Sequence, residues 1–319
     1  MFPFSMDHPR DPMTEPVTSP VRAEHFKYSE YESYLEPPRP CPMCRGSEVE
    51  PWGKLGSFEA VRCSGCSHVF MHRVLSDEGL TRYYDDYVSF RLANPEKMSQ
   101  RARMYEIDRD FLLRHVTSGR LLDVGCSSGE FLLVLGQQFD SYGVDRDATA
   151  VEMARERGDW LSPRIRLGDF EAFADQKEPF DVVVLRGVLE HLVEPLRALE
   201  HISELVVEGG VFFITATPNV ESPSAELFRE RWNQFDPIQH ISHFSASHLS
   251  RTLAKFGFTL EGQYYPYLET PYARPEADLE QLLEAARDVD RRSRAEWAQS
   301  PAFWGNMMTL VFRRNPEIP

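Results

Sequence analysis

Residues 120–131, RLLDVGCSSGEF, carry an apolar strand into an acid and then into a turn of small residues that opens a helix. Leu121, Leu122 and Val124 suit a strand buried on both faces of a parallel sheet. Gly125 and Gly129 let the backbone turn tightly and approach a ligand closely. In open α/β sheets this layout places a ligand at the carboxyl ends of the strands. The spacing also argues against one ligand class. A dinucleotide fingerprint needs its third glycine where this chain has Glu130, next to where a pyrophosphate would lie. A carboxylate there repels phosphate, which disfavours an NAD-dependent oxidoreductase and suits a phosphate-free, cationic ligand.

The same grammar recurs downstream. SYGVD (141–145) is a second apolar strand ending in Asp145, twenty positions after Gly125. At that spacing doubly wound folds set a carboxylate on a ribose, and a carboxylate can accept hydrogen bonds from both hydroxyls of the diol. RIRLGDF (164–170) supplies a third strand with Asp169 and Phe170 at its end, FDVVVLRGVLEHL (180–192) a fourth and GGVFFITATPN (209–219) a fifth. Helical patterns fall at 128–138, 147–158 and 193–206. This alternation predicts an α/β fold, a doubly wound Rossmann-like sheet with helices on both faces and right-handed crossovers. An amphipathic helix over 245–258 follows, then TLEGQYYPY and MMTLVFRR as final strands. Between them, within 275–299, Leu279, Leu282, Leu283 and Ala286 recur at helical spacing. They predict a helical insert that packs on the sheet edge, with a lid or contact surface as the alternative.

Asp123, Gly125, Ser127 and Gly129 resemble the acidic-x-G-x-G-x-G first motif of class I S-adenosylmethionine (SAM) methyltransferases, with Ser127 in place of the middle glycine. The resemblance covers 116–319 and implies seven strands, the last pair antiparallel. It also implies that these four residues and Asp145 hold SAM, that Asp169 accepts from the adenine amino group, and that Phe170 packs on the ring. Arg186, directly after the fourth strand, is read as meeting the cofactor's carboxylate or an acidic substrate, with a surface ion pair as the alternative.

Cys41, Cys44, Cys63 and Cys66 form two CxxC pairs separated by eighteen residues, the spacing of a zinc ribbon. Two such knuckles bring four soft thiolates to a tetrahedron, and a closed all-sulfur shell implies structural Zn2+ rather than a catalytic metal with an open position. Cys126, in the glycine turn, reads as a small space-filler, and His68 and His72 as bystanders.

The net charge of −15 and pI near 5.2 disfavour a nucleic-acid partner. No apolar run near eighteen residues and no signal-peptide core are present in the sequence, so the expectation is a cytoplasmic protein with no membrane contact. The expected organisation is a flexible Pro-rich leader (1–40), a zinc-binding module (41–75), a helical cap (76–115) and the SAM-binding domain (116–319). Tyr83, Tyr84, Tyr87 and Phe90 in the cap either line the site or pack a core.

The whole arrangement resembles a bacterial group of zinc-ribbon-bearing class I methyltransferases acting on small molecules. That group includes C-methyltransferases of deoxysugar biosynthesis, which carry a further C-terminal domain. The length of this chain therefore favours the shorter relatives, which tailor secondary metabolites, lipids or saccharides on oxygen or nitrogen. The alternatives are C-methylation of a sugar-type substrate and a non-catalytic SAM-binding scaffold. A hydroxyl acceptor calls for a base, and histidine titrates near neutral pH. His240 and His243, in DPIQHISHFS after the fifth strand, are the leading candidates, with His191 of VLEHL the third.

Overall fold

Alternation along the central strands decides which side chains meet which helical layer. In a computed structural model, residues 28–83, 95–173, 178–291 and 293–316 are described. The elements that build the large sheet are β4 (Arg120–Val124), β5 (Asp140–Asp145), β6 (Ile165–Leu167), β7 (Phe180–Arg186), β8 (Val206–Pro218), β10 (Phe258–Tyr264) and β11 (Met307–Arg314). Their order is β10-β11-β8-β7-β4-β5-β6. The pairs among β8, β7, β4, β5 and β6 are parallel, whereas β11 runs antiparallel to both β8 and β10. The expected seven-stranded sheet with its antiparallel last pair is therefore present.

One face of this sheet presents Leu122, Val124, Val183, Leu185, Phe212, Ile214, Leu310 and Phe312 to Leu199 and Ile202 of α4 (Pro195–Glu204) and to Leu249 and Leu253 of α6 (Ala246–Ala254). The interleaved residues Leu121, Val182, Val184, Val211, Phe213 and Val311 face α1 (Pro95–Leu112), α2 (Glu130–Leu135) and α3 (Ala148–Glu156). Fully burying one such side chain is worth ~1.5–3 kcal/mol, so these two apolar layers supply the main drive for the fold.

The N-terminal region is tied more closely to the large sheet than its sequence suggests. Strands β1 (Val49–Leu55), β2 (Phe58–Cys63) and β3 (Val69–Met71) form an antiparallel meander, and its fourth strand is β9 (Ser242–His243), contributed from beyond β8. A third apolar core joins Trp52, Phe58 and Val69 of this small sheet to Trp232, Phe235 and Ile241. The same core takes Leu282 and Ala285 from α7 (Pro275–Asp288) and Phe228 from α5 (Pro223–Phe228). The helical insert packs through this core, against α5 and the Trp232 segment, and Leu279 and Leu283 on its other side are exposed.

The expectation of a flexible leader through residue 40 needs correction from Tyr28 onward. Tyr28–Tyr34 is a 3-10 helix whose Tyr31 is buried, Leu35 bridges to Leu75, and Arg39 donates to the carbonyls of Met71, Val193 and Ile241. Aromatic rings among the prolines provide enough apolar area to dock this segment. Residues 1–27 lie outside the described residues, as do Tyr84, Tyr87 and Phe90. Tyr83 is buried in the third core, edge-on to Tyr31. Among the described residues, no helix is long and apolar enough to cross a membrane.

Candidate active site

The glycine turn after β4 is held by its neighbour strand, with the N–H groups of Gly125 and Cys126 both donating to Val144 O. Gly125 has φ +80°, and a Cβ there would stand 2.4 Å from Val188 Cγ2, so close approach as well as backbone shape requires glycine. Ser127 sits at φ 49°, the position where the first-motif pattern has glycine. Its N–H donates to Asp145 Oδ2 at 2.8 Å, while the Asp147 N–H donates to Oδ1 at 2.9 Å. These two bonds orient the Asp145 carboxylate at the tip of β5. Cys126 is buried with its thiol against Gly143, as expected of a space-filler, and burial pushes that thiol's pKa up. Glu130 accepts from Ser128 Oγ and Arg157 Nη2, which keeps an acid at the mouth of the turn.

Asp123, Asp145 and Asp169 thus stand at or just beyond the carboxyl ends of three adjacent strands, β4, β5 and β6. Their environments differ. Burial pushes the Asp123 carboxyl up to about 7; Arg186 pulls the other way, and Asp145 and Glu130 add to the rise. No donor among the described residues reaches its buried Oδ1. At Asp169 burial also raises the pKa, but the hydrogen bonds from Arg146 Nη2 and the Glu171 N–H outweigh it and hold the carboxyl below its ordinary value. Phe170 follows in a 3-10 turn, half-buried, its ring 5.6 Å from that of His201.

Arg186, at the end of β7, is gripped from below. Its Nε donates to Asp108 Oδ2 at 2.9 Å, and its guanidinium lies over the Tyr105 ring at 4.1 Å. Asp108, fully buried on α1, accepts in addition from Thr215 Oγ1 at 2.6 Å. This pair is internal, so the surface ion-pair reading of Arg186 does not apply. The sequence gives no sign of Asp108, because one acid in a charge-rich helix carries no periodic signal of burial.

Two residues beyond Val188, which covers Gly125, begins a second group. Glu190, His191 and His240 each offer a ligand atom, all within 4.8 Å of one another. His191 Nδ1 donates to Gln239 O at 2.8 Å and His240 Nδ1 donates to Gln234 O at 2.7 Å. A carbonyl can only accept, so in each neutral ring the lone pair resides on Nε2. The Asp236 side chain shapes the loop by accepting the N–H groups of Ile238 and Gln239, and Gln239 Nε2 is held by Tyr83 Oη at 2.6 Å. Glu190 is buried, its Oε2 meets no hydrogen-bond donor among the described residues, and burial lifts its carboxyl to about 8.

His243 is not brought to this group. It is buried on β9 between Trp52 and Phe235, with ring centroids at 5.8 and 5.9 Å, and burial lowers its pKa to about 3. A base so placed has no route to solvent or ligand. The structure therefore joins His191 to His240 and sets His243 in the third core.

The four cysteines do converge. Cys41 and Cys66 Sγ are 3.6 Å apart, Cys44 and Cys63 Sγ 3.4 Å, and all four lie within 4.8 Å. Tetrahedral zinc at ~2.3 Å from each sulfur sets sulfurs about 3.8 Å apart, so the donor set fits the metal. The knuckles abut the start of α4, where Arg45 pairs with Glu194.

Comparison with known proteins follows the same division. Over 102 residues the chain is 35% identical to the ubiquinone biosynthesis O-methyltransferase of Chelativorans sp. (strain BNC1), covering 30% of this chain and 39% of that protein. Over 117 residues it is 34% identical to the corresponding Paraburkholderia phymatum enzyme, covering 34% and 49%. The chain thus spans less than half the length of these curated relatives. Among solved structures, a chain of the Haloferax volcanii complex formed by the Trm112 methyltransferase activator superposes with TM-score 0.52 at 19% identity, covering 70% of this chain and 96% of that one, a likeness of fold. The family profile of the methyltransferase domain matches residues 91–263, just over half of the chain, from within the expected cap into β10. With its sheet order, acid-tipped strands and glycine turn, the chain belongs to the methyltransferase-domain family and has the class I SAM-dependent methyltransferase fold.

Proposed function

We propose that this protein transfers the methyl group of SAM to a hydroxyl of a small-molecule acceptor. The observation that carries the reading is the meeting, at one edge of the sheet, of an acid-lined glycine turn with the Glu190, His191 and His240 cluster, joined through Val188 packed on Gly125. On the donor side, Asp145 takes the ribose hydroxyls, Asp169 the adenine amino group and Phe170 the ring face. Gly125, Ser127 and Gly129 allow close backbone approach, and Asp123 and Arg186 face the amino-acid end. Bound SAM supplies a sulfonium methyl that passes to the acceptor oxygen while the carbon–sulfur electron pair returns to sulfur. The residues' task is to hold donor and acceptor in line with water excluded, and such positioning can supply ~7–11 kcal/mol.

On the acceptor side, His240 receives the hydroxyl proton with His191 beside it, because its carbonyl-bound Nδ1–H fixes Nε2 as the basic atom. The O-methyltransferases among the relatives support an oxygen acceptor over nitrogen or carbon, which favours hydroxylated secondary metabolites or saccharides. Cys41, Cys44, Cys63 and Cys66 hold a structural zinc that clamps the small sheet and takes no part in methyl transfer.

The test is release of S-adenosylhomocysteine over a panel of hydroxylated aromatics, saccharides and amines. Turnover with a hydroxyl acceptor, reduced about 10²-fold or more by His240→Ala, is the expected result. Turnover confined to amines would overturn the oxygen assignment, and SAM binding without turnover of any acceptor would favour a non-catalytic scaffold.

A further inference from the structure

Three features of the Glu190, His191 and His240 group exceed what a proton acceptor needs. First, it contains two imidazoles and a carboxylate whose ligand atoms all lie within 4.8 Å, the Nε2 of His191 standing 4.0 Å from Glu190 Oε1. Two histidines and one carboxylate are a recurrent set for divalent metals with open positions. Second, each imidazole is turned by a backbone carbonyl, Gln239 O for His191 and Gln234 O for His240. Metal-ligating histidines almost always donate their other ring N–H in this way, which fixes the tautomer with a lone pair directed at the ion. The two carbonyls belong to one loop, itself braced by Asp236 and by the hydrogen bond from Gln239 to Tyr83. Third, Glu190 is 3% exposed, and its Oε2 meets no hydrogen-bond donor among the described residues. A buried carboxylate oxygen that no donor reaches is costly when the group is ionised, and a cation offsets that cost.

We infer that Glu190, His191 and His240 form a second metal site, distinct from the four-cysteine cluster, that takes a divalent cation and presents it to the acceptor's hydroxyl oxygen. This rests on the reading of a hydroxyl acceptor given above and changes how its proton is lost. Three protein ligands leave coordination positions for an acceptor oxygen, and a cation there acidifies the hydroxyl as it acidifies water. The proton leaves to solvent, the oxygen lone pair forms the bond to the methyl carbon, and the carbon–sulfur pair goes to sulfur, so the cation itself is unchanged. The two metal sites differ in chemistry. Thiolates select soft ions such as zinc, whereas a carboxylate with open water positions also accepts manganese.

That difference provides the test. The full chain, with its cysteine cluster loaded with zinc, is titrated with Mn2+ and followed by electron paramagnetic resonance, alongside Glu190→Gln and His240→Gln. SAM binding to each variant by calorimetry reports whether the fold and the donor site persist. The expected result is about one Mn2+ bound per chain, weakened at least tenfold in both variants while SAM affinity stays within about threefold of the parent. Absence of Mn2+ binding at millimolar concentration, or equal binding by variants and parent, overturns the inference. Failure of the parent to bind SAM counts against the proposed function instead, since the manganese titration reads the second site independently.

Discussion

Asp108 shows how much a single buried acid can organise. It lies on α1, yet it holds Arg186 at the end of β7 and Thr215 on β8, so three elements meet at one carboxylate. Removing one partner of a buried ion pair leaves the other uncompensated, at a cost of ~3–5 kcal/mol. Asp108→Ala should therefore lower the unfolding free energy by that order in a urea titration; a change below about 1 kcal/mol would mean that Arg186 finds solvent. Asp123 makes a different prediction. Its folded-state pKa of about 7 exceeds the ordinary 3.8, so the stability linked to this carboxyl is fully present at acid pH and is lost as the pH rises from 3.8 through about 7. Between about pH 5 and about pH 8, Asp123→Asn should gain stability relative to the ligand-free parent by roughly 1–3 kcal/mol. A pH-independent difference would contradict the buried state of this carboxyl, whose Oδ1 no donor among the described residues reaches.

At the scale of elements, the β4 to α2 turn and the small sheet carry the clearest expectations. Gly125→Ala places a methyl 2.4 Å from Val188 Cγ2 at φ +80°. Strain of this kind costs on the order of 1–3 kcal/mol and should appear as a lowered Tm together with weaker SAM binding, because the turn would have to shift. The small sheet draws its fourth strand, β9, from the segment that follows the His240 loop. Ile241 O also accepts the Met71 N–H, so the cysteine-bearing meander is stitched directly to that loop. Elemental analysis should therefore find about one zinc per chain on the cysteine cluster. Stripping it should destabilise the acceptor side, read as faster amide exchange over 234–243 with little change over β4 and β5. Uniform exchange throughout would contradict the coupling.

For the molecule as a whole, the large sheet is legible in the sequence because its signals are local and repeated: apolar runs ended by Asp123, Asp145 and Asp169, separated by helices of ordinary length. The cysteine cluster is legible for the same reason, since four cysteines at fixed spacing announce themselves in one dimension. What the sequence conceals depends on contacts distant along the chain. Nothing around Ser242 or Trp232 indicates that they complete the sheet and core of residues 49–71, because two-residue strands leave no periodic trace. His240 and His243 look equivalent in DPIQHISHFS, yet the strand geometry of β9 sends His243 into the aromatic core while His240 meets His191. The docking of Tyr28–Tyr34 is hidden for a related reason: prolines on either side suggest an extended chain, and the surface that receives Tyr31 is assembled from remote pieces.

The proposed function requires the acid-tipped edge of β4, β5 and β6 to bind SAM and not a dinucleotide. Calorimetric titration of the full chain with SAM, and separately with NADH, is the decisive measurement, with Asp145→Ala as the control. The expected result is saturable SAM binding near one per chain, at least tenfold weaker in the variant because a carboxylate to the ribose diol is lost, and no binding of NADH. Saturable NADH binding, or SAM binding unaffected by Asp145→Ala, would contradict it.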